Sequence, residues 1–199
     1  MKEQDREARK DMILDAAETL FSTKPYDKVS MQEIANEAGL AKSSIYTYFS
    51  TQEALFVEAA MRDSDSLLLK LEGIIDKEGK PDLGKIINTW IDFFDSHESL
   101  FRMSSQFMLS GNISSESLDQ LNPVIRRLLD ILENNIRCLQ YKKDARLLAH
   151  TLFSALSGLL ISYSKYPGRS KEEIRSHMKH IGENIKDIIE VYIKQNSVE

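Results

Sequence analysis

Apolar positions along this chain recur at three- and four-residue intervals, and the pattern predicts helices throughout. Ile13, Ala16, Ala17, Leu20 and Phe21 mark the inner face of a first helix. It must stop before Pro25, because the residue ahead of a proline is pushed out of helical geometry. The polar residues 1–10 are expected to fray. Ser30 and Glu33 form a capping box, with Val29 and Ile34 spaced as a hydrophobic staple, so a second helix begins at about Met31. Gly39 ends it, since glycine accepts the left-handed backbone that closes a helix and turns the chain. A third, short helix runs from Lys42 to Phe49, anchored inward by Ile45 and Phe49. Ser50 to Glu53 offers another capping box, which starts one long helix through Leu55, Phe56, Ala59, Ala60, Leu67, Leu71, Ile74 and Ile75.

Gly79 to Asp82 breaks the pattern, and a helix restarts with Ile86, Ile87, Trp90, Ile91 and Phe94. His97 to Ser99 reads as a corner, 110–112 as a loop followed by a serine-rich polar stretch, and Pro123 as the first turn of a further helix. Leu147 to Ile161 is apolar almost all round. A helix of that kind must be covered on every side. Its own domain covers one half, and a partner subunit is expected to cover the other through Leu152, Ala155, Leu156 and Leu159. The last helix, from Lys171 to Gln195, carries Ile174, Met178, Ile181, Ile185, Ile188 and Tyr192 as one stripe, with Ile181, Ile185 and Ile188 placed in the same interface. Two such helices per chain would build a four-helix bundle across a twofold axis. Trp90, Phe94, Phe101, Met103, Phe107, Met108 and Phe153 fall on inward stripes, where methionine and aromatic rings make either plain core or an adaptable apolar ligand pocket; sequence leaves both open.

The 199 residues, 42% hydrophobic and 29% charged, have room for one large or two small domains. No apolar run is expected to span a bilayer and the charged start is unlike a signal peptide, so the chain is expected to stay in the cytoplasm. The single cysteine, Cys138, excludes an internal disulfide and is read as a small buried side chain. A net charge of −5 argues against a basic coat that binds nucleic acid in bulk. Even residues 1–50 hold seven lysines and arginines against nine acids. Yet no carboxylate lies between Lys42 and Phe49, where an ammonium, three hydroxyls and two phenols are offered. Such groups, with the N–H groups of a helix N-terminus, suit a phosphate-lined groove. Phosphate-binding glycine loops, zinc-type cysteine pairs and nucleophile signatures are missing. His177 and His180 lack a nearby third ligand, and Asp92 and Asp95 read as solvated helix faces, so no metal, cofactor or catalytic residue is expected.

The run from Ile34 to Phe49, IANEAGLAKSSIYTYF, followed by Gln52 to Phe56, closely resembles the DNA-binding signature of the TetR family of bacterial transcriptional regulators. The resemblance covers roughly the first third of the chain. It implies base or groove contact from Ser43, Ser44 and Thr47, and phosphate contact from Lys42, Tyr46 and Tyr48. Two positions depart from the family pattern: Ala41 replaces a capping serine or threonine, and Gln52 replaces a lysine. The expectation is an all-α, homodimeric regulator with a helix-turn-helix domain over residues 1–50 and an effector-binding and dimerisation domain over 51–199. It would bind palindromic operator DNA and be released by a small apolar effector. The competing reading is a helical adaptor that binds only protein, which leaves the acid-free helix without a purpose.

Overall fold

The computed structural model describes residues 3–62, 64–75, 78–98, 100–103, 105, 114–163 and 166–197. Every extended element among them is a helix, with one isolated β-bridge between Ile75 and Pro81. Two compact units emerge: Met1–Ser64 with His97–Asn122, and Asp65–Ser96 with Pro123–Glu199. The expected division at residue 50 thus falls inside the first unit, where α4 (below) is grouped with the helix-turn-helix.

In the first unit, α1 (Glu3–Thr23) packs on α2 (Met31–Glu37) and α4 (Gln52–Met61), with the short α3 (Lys42–Ile45) against α2. The first helix starts at Glu3, so the polar stretch expected to fray is helical. Ion pairs reach it from α4: Lys10 meets Glu58, and Arg62 meets Asp15 at 2.6 Å and Glu18 at 2.9 Å. The core holds Ile13, Ala17, Phe21, Ile34, Ile45, Leu55 and Phe56, each essentially inaccessible. Phe56 receives Phe21 and Tyr26 edge-on at 4.8 and 4.9 Å, an arrangement that adds about 0.5–1.5 kcal/mol per pair to simple burial.

The long helix expected from Thr51 to Ile75 is two helices. α4 ends at Met61 and α5 (Ser64–Leu71) follows. Just past the end of α4 the Ser64 hydroxyl donates to the Met61 carbonyl at 2.5 Å, a side-chain bond that competes with the helical ladder.

The second unit is built on α6 (Leu83–Ser96), α8 (Ala145–Tyr163) and α9 (Lys171–Gln195), each of which packs against the other two. Ile86, Ile87, Trp90 and Ile91 face Leu148, Leu152, Leu156 and Leu160, with Met178, Gly182, Ile189 and Ile193 closing the triangle. A Cβ placed on Gly182 would lie 2.8 Å from Ile87 Cγ2 and 3.2 Å from Ile91 Cδ1, so α9 approaches α6 because that residue has no side chain. Gly182→Ala is expected to lower stability by about 1–3 kcal/mol through overpacking, read from the urea midpoint. Asp92, expected to be a solvated face, is ion-paired: it accepts from Arg175 at 2.7 Å and Lys179 at 3.0 Å.

In chain order α7 (Ser115–Cys138) comes between α6 and α8. It begins eight residues before Pro123, which was expected in its first turn and instead stands in its interior. Asn122, Pro123 and Asp119, whose carbonyl loses a partner to the proline, are all exposed, so the proline stands on the solvent side of the helix. The true start is capped by Ser114, whose hydroxyl oxygen accepts from the Ser117 amide at 3.2 Å. Cys138 is exposed at the far end, against the expectation of burial. α8 has the length and hydropathy of a membrane span, against the expectation that no run approaches it, although its inward side is filled by the core of its own unit.

Candidate nucleic-acid interface

The turn between α2 and α3 is fixed by strictly local bonds. Ser30 Oγ accepts from the Glu33 amide at 3.2 Å and Glu33 Oε2 accepts from the Ser30 amide at 2.9 Å, which completes the capping box. Lys24 Nζ donates to the other Glu33 oxygen at 2.9 Å. That bond, with those from Ser30, holds the Glu33 carboxyl below its ordinary pKa. At the far end the Leu40 amide bonds to the Ala35 carbonyl at 2.9 Å and the Gly39 amide to that of Asn36 at 3.2 Å, with Gly39 at φ +66°. This is a Schellman motif, and the left-handed residue it needs is the glycine.

α3 therefore leaves α2 at a set angle. Ile45 and Phe49 face inward, both buried as expected, and the opposite side is open. Lys42, Ser43, Tyr46 and Thr47 are exposed, while Ser44 and Tyr48 are half-buried. α3 is shorter than expected: after Ile45 the chain continues in tight turns, with the Thr47 amide on the Ser44 carbonyl at 3.2 Å and that of Tyr48 on Ile45 at 2.9 Å. The Thr47 hydroxyl donates back to the Ser44 carbonyl, so it offers outward its methyl group and its oxygen lone pairs. Ala41 gives α3 no side-chain cap.

Gln52, the other departure from the family pattern, is turned inward. Its amide donates to the Tyr26 carbonyl at 2.9 Å, which ties the start of α4 to the turn after α1. Lys10 is engaged by Glu58, whereas Arg9 is exposed and makes no ion pair among the described residues. Glu53 in the first turn of α4 accepts from the amide and hydroxyl of Ser114 at 2.8 and 2.9 Å. Hydrogen bonding from Ser117 and then Ser114 lowers its pKa, against the opposing effect of burial. A depressed carboxylate stabilises the fold above its unfolded value, and that contribution disappears as pH falls through the lower folded value. The melting-temperature gap between the parent and Glu53→Gln is therefore expected to be open at pH 7 and to close below about pH 4, on the acid side of the ordinary glutamate value.

The other expected sites are only partly assembled. Trp90 lies 5.1 Å from Phe94 and meets Phe153 edge-on at 5.9 Å, all three in the second unit. The Trp90 indole N–H is buried without a hydrogen-bond partner among the described residues. Phe101 and Met103 belong to the first unit. Phe107 and Met108 lie outside the described residues.

Of the residues assigned to a dimer face, Leu152, Leu156 and Leu159 are 0, 0 and 5% exposed in the single chain, so a partner has nothing left to cover there. Ala155, Ile181 and Ile185 are half-buried, and Ile188 is 67% exposed. The α9 stripe that looked single is two: Met178, Ile189 and Ile193 point into the unit, while Ile188, Val191 and Tyr192 point away. On α8 the outward line is Leu147, Thr151, Ser154, Gly158 and Ile161. Only Gly158 of this line was expected, with Ala155, to let a partner helix come close; the rest was missed because its middle is small and polar.

An open, acid-free helix locked by a Schellman turn against a capped helix defines a helix-turn-helix DNA-binding protein. Residues 13–59 match the model of the bacterial regulatory proteins of the tetR family. The chain is 25% identical over 192 residues to the biofilm operon icaADBC negative transcriptional regulator IcaR of Staphylococcus aureus strain Newman, across 94% of this chain and all of that one. It is 23% identical over 186 residues to the nucleoid occlusion factor SlmA of Idiomarina loihiensis, across 91% and 90% of the two chains. Its fold resembles that of the transcriptional regulator FadR from Bacillus subtilis in complex with stearoyl-CoA, with a TM-score of 0.67 and 19% identity over 86% of this chain and 96% of that one. The chain thus resembles bacterial transcriptional regulators of the tetR family, the family model itself matching the helix-turn-helix segment.

Proposed function

We propose that the protein is a homodimeric repressor that reads a palindromic operator with α3 and the turns after it and is released by a small, mainly apolar effector. The observation that carries the DNA half is the exposed group of Lys42, Ser43, Tyr46 and Thr47 on a helix with no acid, in a chain whose net charge is −5. Binding then depends on a local footprint and falls steeply with salt. Lys42, Tyr46 and Tyr48 are assigned to phosphates, and Ser43, Ser44 and Thr47 to the groove floor. Repression follows the role of IcaR as a negative transcriptional regulator. A chromosomal operator puts the site of action in the cytoplasm.

The dimer face is assigned to the outward line of α8 with Ile181, Ile188, Val191 and Tyr192 of α9. Small residues at Ser154 and Gly158 let a twofold-related helix come close, and the larger Leu147 and Ile161 close the two ends. The effector site is assigned to Trp90, Phe94 and Phe153. A buried tryptophan N–H normally finds an acceptor, so the unpartnered indole N–H favours an apolar ligand with one acceptor atom. FadR, whose fold is similar, was crystallised with an acyl-CoA. The effector signal is assigned a path through α7, whose capping residue Ser114 holds Glu53 at the start of α4.

Selection of bound fragments from random duplex DNA tests the reading. A twofold-symmetric consensus is expected, and recovery of unrelated sequences at low salt would leave only the adaptor reading. Trp90 is the sole tryptophan, so its fluorescence should change with any compound that releases the selected operator.

A further inference from the structure

Where α8 ends and α9 begins, Tyr163, Tyr166, Arg169, Ile174 and His177 line a cavity of about 250 Å³. The rings form a continuous stack. Tyr163 and Tyr166 lie nearly parallel, 17° apart with centroids at 5.8 Å, and the His177 imidazole meets Tyr163 edge-on at 5.1 Å. The Arg169 guanidinium sits over the outer face of Tyr166, 5.3 Å from its centroid. Ile174 supplies an aliphatic wall.

We propose that this cavity is a binding site for a small aromatic monocarboxylate, such as a benzoate-like molecule, separate in its residues from the Trp90 cluster and independent of the DNA reading. Among the described residues the two phenols and the imidazole make no hydrogen bond to protein, and Arg169 makes no ion pair, although its charge helps to lower the pKa of the Glu173 carboxyl. Stacking on Tyr166 fixes the plane of the guanidinium, so its N–H fork is oriented before a ligand arrives and less freedom is lost on binding. A carboxylate takes two parallel bonds from such a fork. The attached ring then packs on Ile174 and the tyrosine edges.

Size and charge narrow the class further. The volume accommodates one ring with a short arm and is below the usual range for drug-sized ligands. The Glu173 carboxylate accepts from the Ser170 amide at 2.8 Å in the capping box of α9, and with Glu172 it lines the adjoining cavity that Arg169 and His177 share. One carboxylate on the ligand balances Arg169, and a second negative charge would meet Glu172. A bare anion would leave Ile174 and the rings without a partner.

The test is a titration of the full-length protein with benzoate, followed through the imidazole C–H resonances of His177, assigned with His177→Gln. A saturable shift is expected. Arg169→Gln, at an exposed position, should weaken it at least about tenfold, the size of one lost charge-assisted bond, with the melting temperature unchanged. Benzyl alcohol, which keeps the ring, and inorganic phosphate, which keeps the charge, should each bind at least tenfold more weakly than benzoate. The proposal is overturned if benzoate gives no saturable shift, if Arg169→Gln binds it as tightly as the parent, or if either probe matches benzoate. Loss of operator binding in some other variant would not touch it.

Discussion

Ile188→Glu should yield a folded monomer that no longer holds its operator. Ile188 is 67% exposed in the single chain, so the chain itself tolerates a carboxylate there. In the proposed dimer the same carboxylate is buried twice across the twofold axis, and each unpaired buried charge costs about 3–5 kcal/mol. That exceeds what a modest helical interface supplies. With two half-sites no longer linked, operator affinity should fall by about 10²–10⁴. Sedimentation reads the first result and fluorescence anisotropy the second, and a parent protein that sediments as a monomer at micromolar concentration removes the interface altogether. Leu156→Glu is the informative contrast. Leu156 is fully buried in its own unit, so a charge there should consume most of a typical stability of about 5–15 kcal/mol and unfold the chain instead of dividing a dimer.

Lys42→Ala combined with Tyr46→Ala should abolish measurable operator binding while leaving the fold intact, since both side chains are exposed. Each removes a hydrogen bond to a charged group, worth about 1.5–3 kcal/mol, and a symmetric operator counts both losses twice. The lysine change should also reduce the slope of log affinity against log salt by about one per half-site. Thr47→Ala should behave differently. With its proton committed to Ser44, Thr47 can touch a thymine methyl or accept from a base amino group, so its loss should relax preference at one base pair by about 1–3 kcal/mol without changing the salt slope. If the double variant binds as the parent does, the reading surface lies elsewhere on the molecule.

The helix-turn-helix was legible in the sequence almost residue by residue. Ser30, Glu33 and Gly39 act through bonds that span three to five residues, and such bonds form whatever the rest of the chain does. The same reasoning placed Ile45 and Phe49 inward and left Lys42, Ser43, Tyr46 and Thr47 outward. Where a local signal was misread, the cause was also local. Pro123 looked like a helix start, although Ser114 already offered a cap nine residues earlier and the exposed side of a helix tolerates proline. The end of α4 at Met61 lay hidden in an unbroken apolar rhythm, since neither Arg62 nor Ser64 is a strong breaker.

What only the tertiary structure decided is which apolar faces are spent inside the chain. Periodicity shows that a face is apolar, and on a helix apolar all round it shows nothing about direction. α8 could have turned either side toward α6 and α9. The structure buries Leu152, Leu156 and Leu159 and leaves outward a line whose centre is serine and glycine. α9 divides in the same way because Gly182 alone lets it close on Ile87 and Ile91, and that contact fixes its rotation, turning Ile188, Val191 and Tyr192 out. The stack of Tyr163, Tyr166, Arg169 and His177 likewise depends on where two helices meet, since its members share no period. The sequence by itself determined the helix-turn-helix and the acid-free face of α3, because those follow from short-range bonds and charge. The core, the apolar faces left exposed and the cavities between helices follow from packing, which couples residues far apart in the chain and leaves no local trace.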